Sequence, residues 1–535
     1  MINVSSAWKS KFNQTLLPEM FVEINYRVTE PGLQESAIPS AKDSEDFSDV
    51  AQVLSLVDKN PEPYSNLDYG AWGLDGTFSY FDGSPRDPGY VQAGFVGNTG
   101  GASAILTIDF AERHDVSIPG ITITWDETFT AWAVDFRIRT YNASGMVAEK
   151  TITGNNSIVS TVWFEMVGYS RITIEVLKWS HIYQRVRISE IALGIESNYT
   201  KTDLLGYEHS QSVDLLTASL PESFIKFKLR NDDNRWNPDN PTGFEKYLVE
   251  QQEIRVRYGM DVDGTTEWID GGTYWLSEWD TPMNGLEADF TARDLIEFLN
   301  IAYKGRRSGT LYEIAMDAFS HVSLPTMDDG SERYILSETL KDITTDFSED
   351  GSDYTVSEIL QMVAHAGCCV FYQDRKGVLR IEPRPLNYSG YMITPDVSYA
   401  HPEYSISKPL KKISVECEPD GPIVDIEVSH SGEVQTVNNP MIIETNHAAS
   451  VGENAKEILK NRRVISGDFR TDLRLDTLDN VIVTSKYASN VISITDIKYS
   501  TTGGAFKGTY TGRVVSIDLE SSKVYSGEFY PGEVW

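Results

Sequence analysis

FIKFKLRNDDNRWNPDNPTG, residues 224–243, opens the stretch that decides the fold of this 535-residue chain. Apolar and polar residues alternate from Phe224 to Leu229, and a dense cluster of turn residues follows. Alternation with a period of two, bounded by Asn, Asp, Pro and Gly, is typical of half-buried antiparallel strands. The segment therefore predicts a strand that runs into a long ordered turn.

Three further segments continue this pattern. The first, QEIRVRYGM (252–260), alternates between an apolar and a charged face. The second is a hairpin-like pair made of EWIDGGTYWLSEWD (267–280) and LEADFTAR (286–293). The third, DLIEFLN (294–300), has a helical pattern. The order is strand, long turn, three strands and then a short helix that begins near Arg293. This order predicts a small β-barrel or sandwich that a helix closes at one end.

The same stretch resembles a known family. NDDNRWNPDNPTG (231–243), EIRVRYG (253–259), GGTYWLSEW (271–279) and FTARDLIEFL (290–299) follow one another as in the first tube domain of phage tail-tip hub proteins. These proteins form the trimeric baseplate hub at the end of long-tailed phages and related injection particles. VISITDIKYSTTGGAFKGTYTGRVV (491–515) resembles the last β-hairpin of the hub's second tube domain. The resemblance implies two tube domains in one chain, which would give a trimer pseudo-six-fold symmetry and match a six-fold tail tube.

Length and composition limit the class of protein. A chain of 535 residues with 40% hydrophobic and 11% aromatic residues is long enough for three or four well-packed domains. No apolar run is long enough to predict a membrane span, and the initial MINVSSAWKSKFNQ does not have the apolar core of a secretory signal. Three cysteines are too few for a disulfide framework, which fits synthesis in a reducing cytoplasm.

The formal net charge of −33 is the strongest compositional signal. A protein this acidic repels nucleic acid, so the charge argues against a role in gripping DNA or reading its sequence. The charge has two interpretations: solubility alone, or, in a trimeric hub, an acidic lumen through which DNA passes without specific binding. In a hub the charge could equally lie on the outer surface.

Residues 31–195 form a separate block. Short β-prone runs such as AILTIDF, GITITWD and RITIEVLKW recur at steady intervals with turn signals between them, which is typical of an all-β sandwich. NLDYGAWGLDGTFSYFDGS (66–84) and RVRISEIALG (185–194) resemble the jelly-roll, carbohydrate-binding-like domain that some phage tail proteins insert into the hub. The resemblance implies that this block interrupts the first tube domain, which would comprise residues 1–30 and 196–300.

The abundant tryptophans of this block raise the question of glycan binding. Trp72 lies in a Gly-rich loop and is the least core-like of them, so we take it, with Asp75 and Trp125, as the candidate contact for a host cell-wall glycan. The alternative is core packing, because Trp132, for example, shares strand parity with Val134. For each tryptophan taken singly, packing in the core is the commoner arrangement.

Beyond the first tube domain the pattern becomes helical. SGTLYEIAMDAFSHV (308–322) places its apolar residues on one helical face, and TVSEILQMVAHAG (355–367) begins with a capping box at Thr355. A β-hairpin follows, and together these elements predict a small α/β domain over residues 301–395. The strand patterns that return afterwards predict the second tube domain over residues 396–535.

Two motifs suggest chemistry. His365 precedes the adjacent Cys368 and Cys369, which indicates a nucleophile or a metal ligand, but core packing of one cysteine is the commoner arrangement. The loop that begins at Asp346 has part of a calcium-loop pattern, but Ser357 stands where a bidentate Glu is required, which favours an acidic solvated loop. GxSxG, HExxH and phosphate-loop motifs are absent from the sequence, and we expect no catalytic residue, no metal site and no cofactor.

The sequence therefore predicts a mainly β protein with a smaller α/β part: two hub-type β-barrel tube domains, an inserted jelly-roll β-sandwich and a small α/β domain. The resemblance implies a homotrimeric, non-enzymatic tail-tip hub, located in the virion after assembly in the bacterial cytoplasm. Its expected partners are the distal tail protein, the tape measure protein and receptor-binding or tail-fibre proteins. Two alternatives stay open: a glycan-binding adhesin that acts through the sandwich, and a wall-active glycoside hydrolase, which needs a carboxylate pair in a cleft.

Overall fold

The computed structural model describes most of the chain. The described residues are 1–14, 18–41, 48–54, 64–65, 90–99, 104–126, 129–182, 184–240, 243–280, 285–327, 331–348, 352–417, 421–485, 488–502 and 506–516. Strands dominate these residues and helices are few, so the predicted mainly β fold class is confirmed. Within these ranges, no helix has the length and apolar character needed to span a membrane.

The chain begins with a short helix and a long strand, α1 (Ser6–Phe12) and β1 (Met20–Val28). The Ser5 hydroxyl accepts a hydrogen bond from the Trp8 amide at 3.0 Å and so caps the helix. Trp8 and Phe12 are buried with the inward side chains of β1 in one hydrophobic core. The helix is therefore held by its apolar face, because a helix of this length has little stability by itself.

Between residues 29 and 194 the described elements are a 3-10 helix (Val50–Leu54), a short α-helix and a series of strands. The α-helix and the strands are α2 (Leu33–Ser36), β2 (Ala37–Ala41), β3 (Ser48–Asp49), β4 (Tyr64–Ser65), β5 (Tyr90–Ala93), β6 (Phe95–Thr99), β7 (Ala104–His114), β8 (Ile118–Thr124), β9 (Ala133–Asn142), β10 (Gly145–Ile152), β11 (Val159–Met166), β12 (Tyr169–Trp179), β13 (Arg185–Ile188) and β14 (Glu190–Leu193). One antiparallel sheet has the order β10-β9-β12-β7-β2, and a second has the order β11-β8-β14. Inward side chains of both sheets share one core. The jelly-roll connectivity stays a prediction.

The segment of residues 195–293, which contains the strands of the stretch from Phe224 onward, supplies six strands to a larger sheet. Its strands are β15 (Ile195–Tyr199), β16 (Leu204–Ser212), β17 (Glu222–Arg230), β18 (Glu253–Val262), β19 (Thr265–Asp280) and β20 (Glu287–Arg293). With β1 they pair in the order β15-β1-β18-β19-β20-β17-β16, and we call these seven strands the first half. Because β1 pairs with β15 on one edge and with β18 on the other, the chain between β1 and β15 leaves and re-enters the sheet at adjacent strands.

The helix predicted near Arg293 is a short 3-10 helix, Leu295–Leu299. Asp294 caps it by accepting a hydrogen bond from the Ile296 amide at 3.1 Å. Leu295 and the helix around it pack into the core of the next unit, not into the core of the first half.

That unit is the predicted α/β part. It contains β21 (Ser308–Thr310), α3 (Leu311–Ser320), β22 (Tyr334–Leu336), β23 (Thr344–Asp346), α4 (Val356–Ala366), β24 (Val370–Gln373) and β25 (Leu379–Glu382). The predicted capping box is present at the start of α4. The Thr355 hydroxyl accepts from the Glu358 amide at 3.3 Å, and the Glu358 carboxylate accepts from the Thr355 amide at 2.8 Å.

The last part of the chain completes the large sheet. Its elements are β26 (Tyr388–Ile393), β27 (Glu403–Ile406), β28 (Leu410–Glu416), β29 (Ile423–Glu427), β30 (Glu433–Val437), α5 (Thr445–Leu459), β31 (Arg463–Phe469), β32 (Asn480–Thr484), β33 (Ser489–Thr501) and β34 (Phe506–Val514). β33, β34, β31 and β27 follow β16 in the sheet, while β32 pairs with β33 and β26 pairs with β32. We call these six strands the second half.

The packing differs from the predicted boundary between residues 395 and 396. Strands β28, β29 and β30 form a separate sheet and do not join the second half. Ile413, Val415 and Val451, from β28 and α5, lie in the same core as α3 and α4. Strand alternation identifies the apolar face of β28, but it does not show which core that face covers.

The capping box gives a prediction for the stability of α4. Thr355→Ala removes the hydroxyl that satisfies the Glu358 amide, and we expect it to lower the free energy of unfolding by about 1 kcal/mol. Thr355→Ser keeps the hydroxyl and is the matched control. Urea denaturation of both variants provides the measurement. Equal stability of Thr355→Ala and the wild type would show that the box contributes nothing.

Candidate functional site

The structure corrects one of the three predicted glycan contacts. Trp125 is completely buried, with 0% of its surface exposed, and its indole N–H donates to the Ser160 hydroxyl at 2.8 Å. Its ring packs edge-on against Phe136 and Trp179. A ring in this position presents no face to a sugar, so the prediction is wrong for Trp125. The other two candidates, Trp72 and Asp75, lie outside the described residues.

The cysteine motif packs in the α/β core. Burial raises the pKa of the Cys368 thiol to about 11 and that of the Cys369 thiol to about 12. Both thiols are therefore protonated near neutral pH and are poor nucleophiles. Across the described ranges, no three His, Cys, Asp or Glu side chains are arranged to hold a metal ion.

The candidate site is the contact between the first half and the second half of the large sheet, together with the buried polar groups around it. We call this contact the joint. β16 pairs antiparallel with β33, from Tyr207 opposite Thr501 to Ser212 opposite Asp496. The Ser212 hydroxyl donates to the Asp496 carboxylate at 2.8 Å. This pairing joins strands from distant parts of the sequence into one sheet of 13 strands.

A buried chain of hydrogen bonds lies directly beneath β16. His209 is 1% exposed, and its two ring nitrogens contact the hydroxyls of Tyr258 at 2.8 Å and Tyr274 at 2.6 Å. The Tyr258 hydroxyl also contacts the Tyr207 hydroxyl at 2.8 Å. Because a neutral imidazole has one N–H and one acceptor nitrogen, it can serve one tyrosine as donor and the other as acceptor.

The charge state of this histidine follows from its surroundings. Burial lowers the pKa of His209 well below its usual value, and the nearby guanidinium of Arg375 lowers it further. Burial also raises the pKa of Tyr258 and Tyr274 above the usual tyrosine range. All three groups are therefore neutral near pH 7, and the chain of hydrogen bonds carries no net charge.

Arg375 connects the three parts of the molecule that meet here. It lies in the turn between β24 and β25, and its guanidinium donates to the Asp270 carbonyl at 3.0 Å in the first half. It also donates to the Leu473 carbonyl at 2.7 Å, to the Leu475 carbonyl, and to the Asp476 carboxylate at 3.0 Å. A planar group with five donors is suited to this task, because it can satisfy several fixed acceptors at once.

The residues around Arg375 complete the joint from the second half. Tyr499 of β33 donates to the Leu475 carbonyl at 2.8 Å. The buried Asp472 carboxylate accepts from the Arg474 guanidinium at 2.5 and 2.8 Å. Both contacts lie within the second half, where they order the segment whose Leu473 and Leu475 carbonyls accept from Arg375.

A polar cleft of about 390 Å³ lies next to this joint, between the first half and the α/β part. Two arginines of its lining are paired within the protein: Arg257 with Glu23 at 2.6 Å, and Arg333 with Glu253 at 2.9 Å.

Sequence reasoning did not identify the joint residues. His209 shares strand parity with Tyr207, and this alternation places both on the inward face of β16. Nothing in the sequence near Arg375 indicates that its turn reaches the segment around Asp476, 101 residues further along the chain. The contact depends on the tertiary arrangement of three separately predicted parts.

This sequence and this fold can be compared with those of known proteins. No family model matches the sequence, and no curated protein matches it. The 43 kDa tail protein of prophage MuSo2 from Shewanella oneidensis is similar at a TM-score of 0.39 and 14% identity, covering 59% of this chain and 94% of that chain. A tail protein from Neisseria meningitidis is similar at a TM-score of 0.41 and 12% identity, covering 62% and 96%. A prophage tail protein from Listeria monocytogenes has a TM-score of 0.37 and 12% identity, covering 59% and 91%.

The role of Arg375 can be tested by truncation. Arg375→Ala leaves the Asp476 carboxylate and several carbonyls without their donor, and we expect a loss of about 3–5 kcal/mol in the free energy of unfolding. Lys376→Ala, at the exposed neighbouring position, is the matched control with an expected change within about 0.5 kcal/mol. Urea denaturation measures both. If the two variants unfold alike, the joint does not depend on the guanidinium.

The neutral His209 gives a prediction for acid stability. Its pKa is lower in the folded chain than in the unfolded chain, so the unfolded chain binds the additional proton on acidification. The stabilisation is fully present above the unfolded pKa of about 6.5 and is lost as the pH falls below it. We expect His209→Gln to be less stable than the wild type at pH 7 and to lose less stability between about pH 7 and pH 5.

Denaturant unfolding at several pH values measures this difference. His401→Gln changes an exposed histidine and should retain the slope of the wild type. A slope that is unchanged in His209→Gln would mean that other groups determine the acid sensitivity.

Proposed function

We propose that this chain is a structural hub protein of a phage tail tip or baseplate, or of a related tail-like particle. In this role three copies form a ring that closes the tail tube and opens for DNA at infection. The observation that carries the proposal is the union of two β-rich halves, edge to edge through β16 and β33, in one chain. The buried joint supports this role, because a ring under load needs halves that cannot slide past each other.

The two halves support a trimer on grounds of symmetry. Each chain contributes two sheet halves side by side, so three chains would place six halves around one axis. A six-fold tail tube would then meet six comparable units, although the hub has only three chains. Closed rings built from repeated head-to-tail contacts are a common solution in protein assemblies.

The net charge of −33 is consistent with this proposal. A channel that DNA crosses quickly must not bind the phosphate backbone, and an acidic protein meets this requirement. The protein would connect the distal tail protein and the tape measure protein on one side to receptor-binding or tail-fibre proteins on the other. Its action would be mechanical, without a catalytic step.

The alternative is a glycan-binding adhesin that acts through the block of residues 31–195. The burial of Trp125 removes one of its three candidate contacts. Trp72 and Asp75, the other two candidates, lie outside the described residues. We place the adhesin second because Trp125 is buried.

Solution mass tests the hub proposal directly. We expect static light scattering of the purified protein to give three times the chain mass of 60.0 kDa across a range of concentrations and salt. The experiment should include dilution to nanomolar concentration, because an obligate ring resists dissociation and a chance association does not. A strict monomer at every concentration would contradict the trimeric ring.

A further inference from the structure

Among the strands that the structure describes, β27 is the last strand of the large sheet in the second half. Among the described strands, β27 pairs only with β31, through Ser405 opposite Val464 and Ile406 opposite Arg463. All four residues of β27 are exposed. An edge strand of this kind presents a row of unpaired backbone N–H and C=O groups to its surroundings.

β27 exposes two large apolar or aromatic side chains beside the polar Glu403 and Ser405. Ile406 is 64% exposed and Tyr404 is 44% exposed. Tyr399, which lies just before the strand, is 58% exposed. Natural proteins usually blunt a free edge with charged residues, proline or a bulge, because an apolar edge otherwise pairs with another chain.

Glu403 lies at the start of β27, whereas basic side chains lie beside its C-terminal end. Arg463 lies opposite Ile406, and the neighbouring Arg462 donates to the Ser407 carbonyl at 2.7 Å. Lys408 is paired with Glu433 at 2.5 Å. Two exposed arginines thus lie beside this edge in a chain whose net charge is −33. A strongly acidic surface is their natural complement.

The chain already contains an example of such an edge contact. At the joint, β16 and β33 pair antiparallel, and Lys498 forms an ion pair with Glu208 at 2.8 Å across the two strands. Backbone pairing combined with a cross-strand ion pair therefore joins one edge of each half. β27 is the strand at the opposite end of the second half. It also presents backbone N–H and C=O groups and nearby charged side chains.

We propose that β27 is the subunit interface, and that its edge pairs with a strand of a second copy of this chain. The second copy fits because each copy carries a net charge of −33, which favours contact with the arginines, and because repeating the contact in a ring leaves no copy of β27 exposed. This inference rests on the proposed hub function and adds the surface through which the ring forms.

The test compares two isoleucine substitutions that are equally exposed in the wild type. Ile406→Lys places a charge on the proposed interface, whereas Ile423→Lys places the same charge on β29, where Ile423 is 59% exposed in a different sheet. We expect light scattering to show at least a tenfold rise in the dissociation constant for Ile406→Lys and no change for Ile423→Lys. Thermal unfolding at high concentration checks that both variants fold.

The outcomes separate this inference from the hub proposal. If Ile406→Lys and the double variant Tyr404→Glu/Ile406→Lys stay trimeric like the wild type, β27 is not the interface, and the hub proposal stands. If the wild type is itself a monomer at all concentrations, both proposals fail. If Ile423→Lys also dissociates the ring, the effect is not specific to β27 and the assignment is overturned.

Discussion

The structure depends on the guanidinium of Arg375, which satisfies fixed acceptors from three parts of the molecule at once. It bonds to the Asp270 carbonyl in the first half, and to the segment around Leu473 and Asp476 before β32 in the second half. The group itself belongs to the α/β part. A buried cation is costly unless every donor is paired, so the three parts are stable together only in one relative position. Because of this constraint, the two halves pair through β16 and β33 in one fixed relative position.

The hydrogen bonds beneath β16 apply the same constraint without charge. His209 contacts Tyr258 and Tyr274, and the pairing of β16 with β33 continues directly above it. Because burial keeps the imidazole neutral, the network needs no counter-ion and tolerates the guanidinium nearby. The two networks therefore have different roles. The charged network fixes the relative position of the three parts, and the neutral network fills the interior of the first half with satisfied polar groups.

Local sequence patterns predicted the strands of the first half and the capped start of α4, because both depend on residues close together in the chain. The alternation in EIRVRYG corresponds to Ile254, Val256 and Tyr258 on the buried face of β18. The same patterns could not decide whether Trp125 contacts a ligand or packs in the core, because both environments suit an aromatic ring. They also could not show that β28 joins the α/β core, or that Arg375 reaches Asp476. These contacts are decided by packing between units, which no local period records.

The distribution of charge limits how the copies of such a chain can meet. On the non-core face of the joint, Glu208 is paired with Lys498, and Ser210 and Thr509 lie opposite Lys498 on the two neighbouring strands. With the exposed Asp496 on the same face of β33, this part of the sheet carries both signs of charge. Like charges elsewhere repel a second copy at long range, so any stable contact must come from short-range backbone pairing and apolar burial. A sheet edge that offers backbone pairing, apolar burial and nearby cations overcomes that repulsion with the fewest residues.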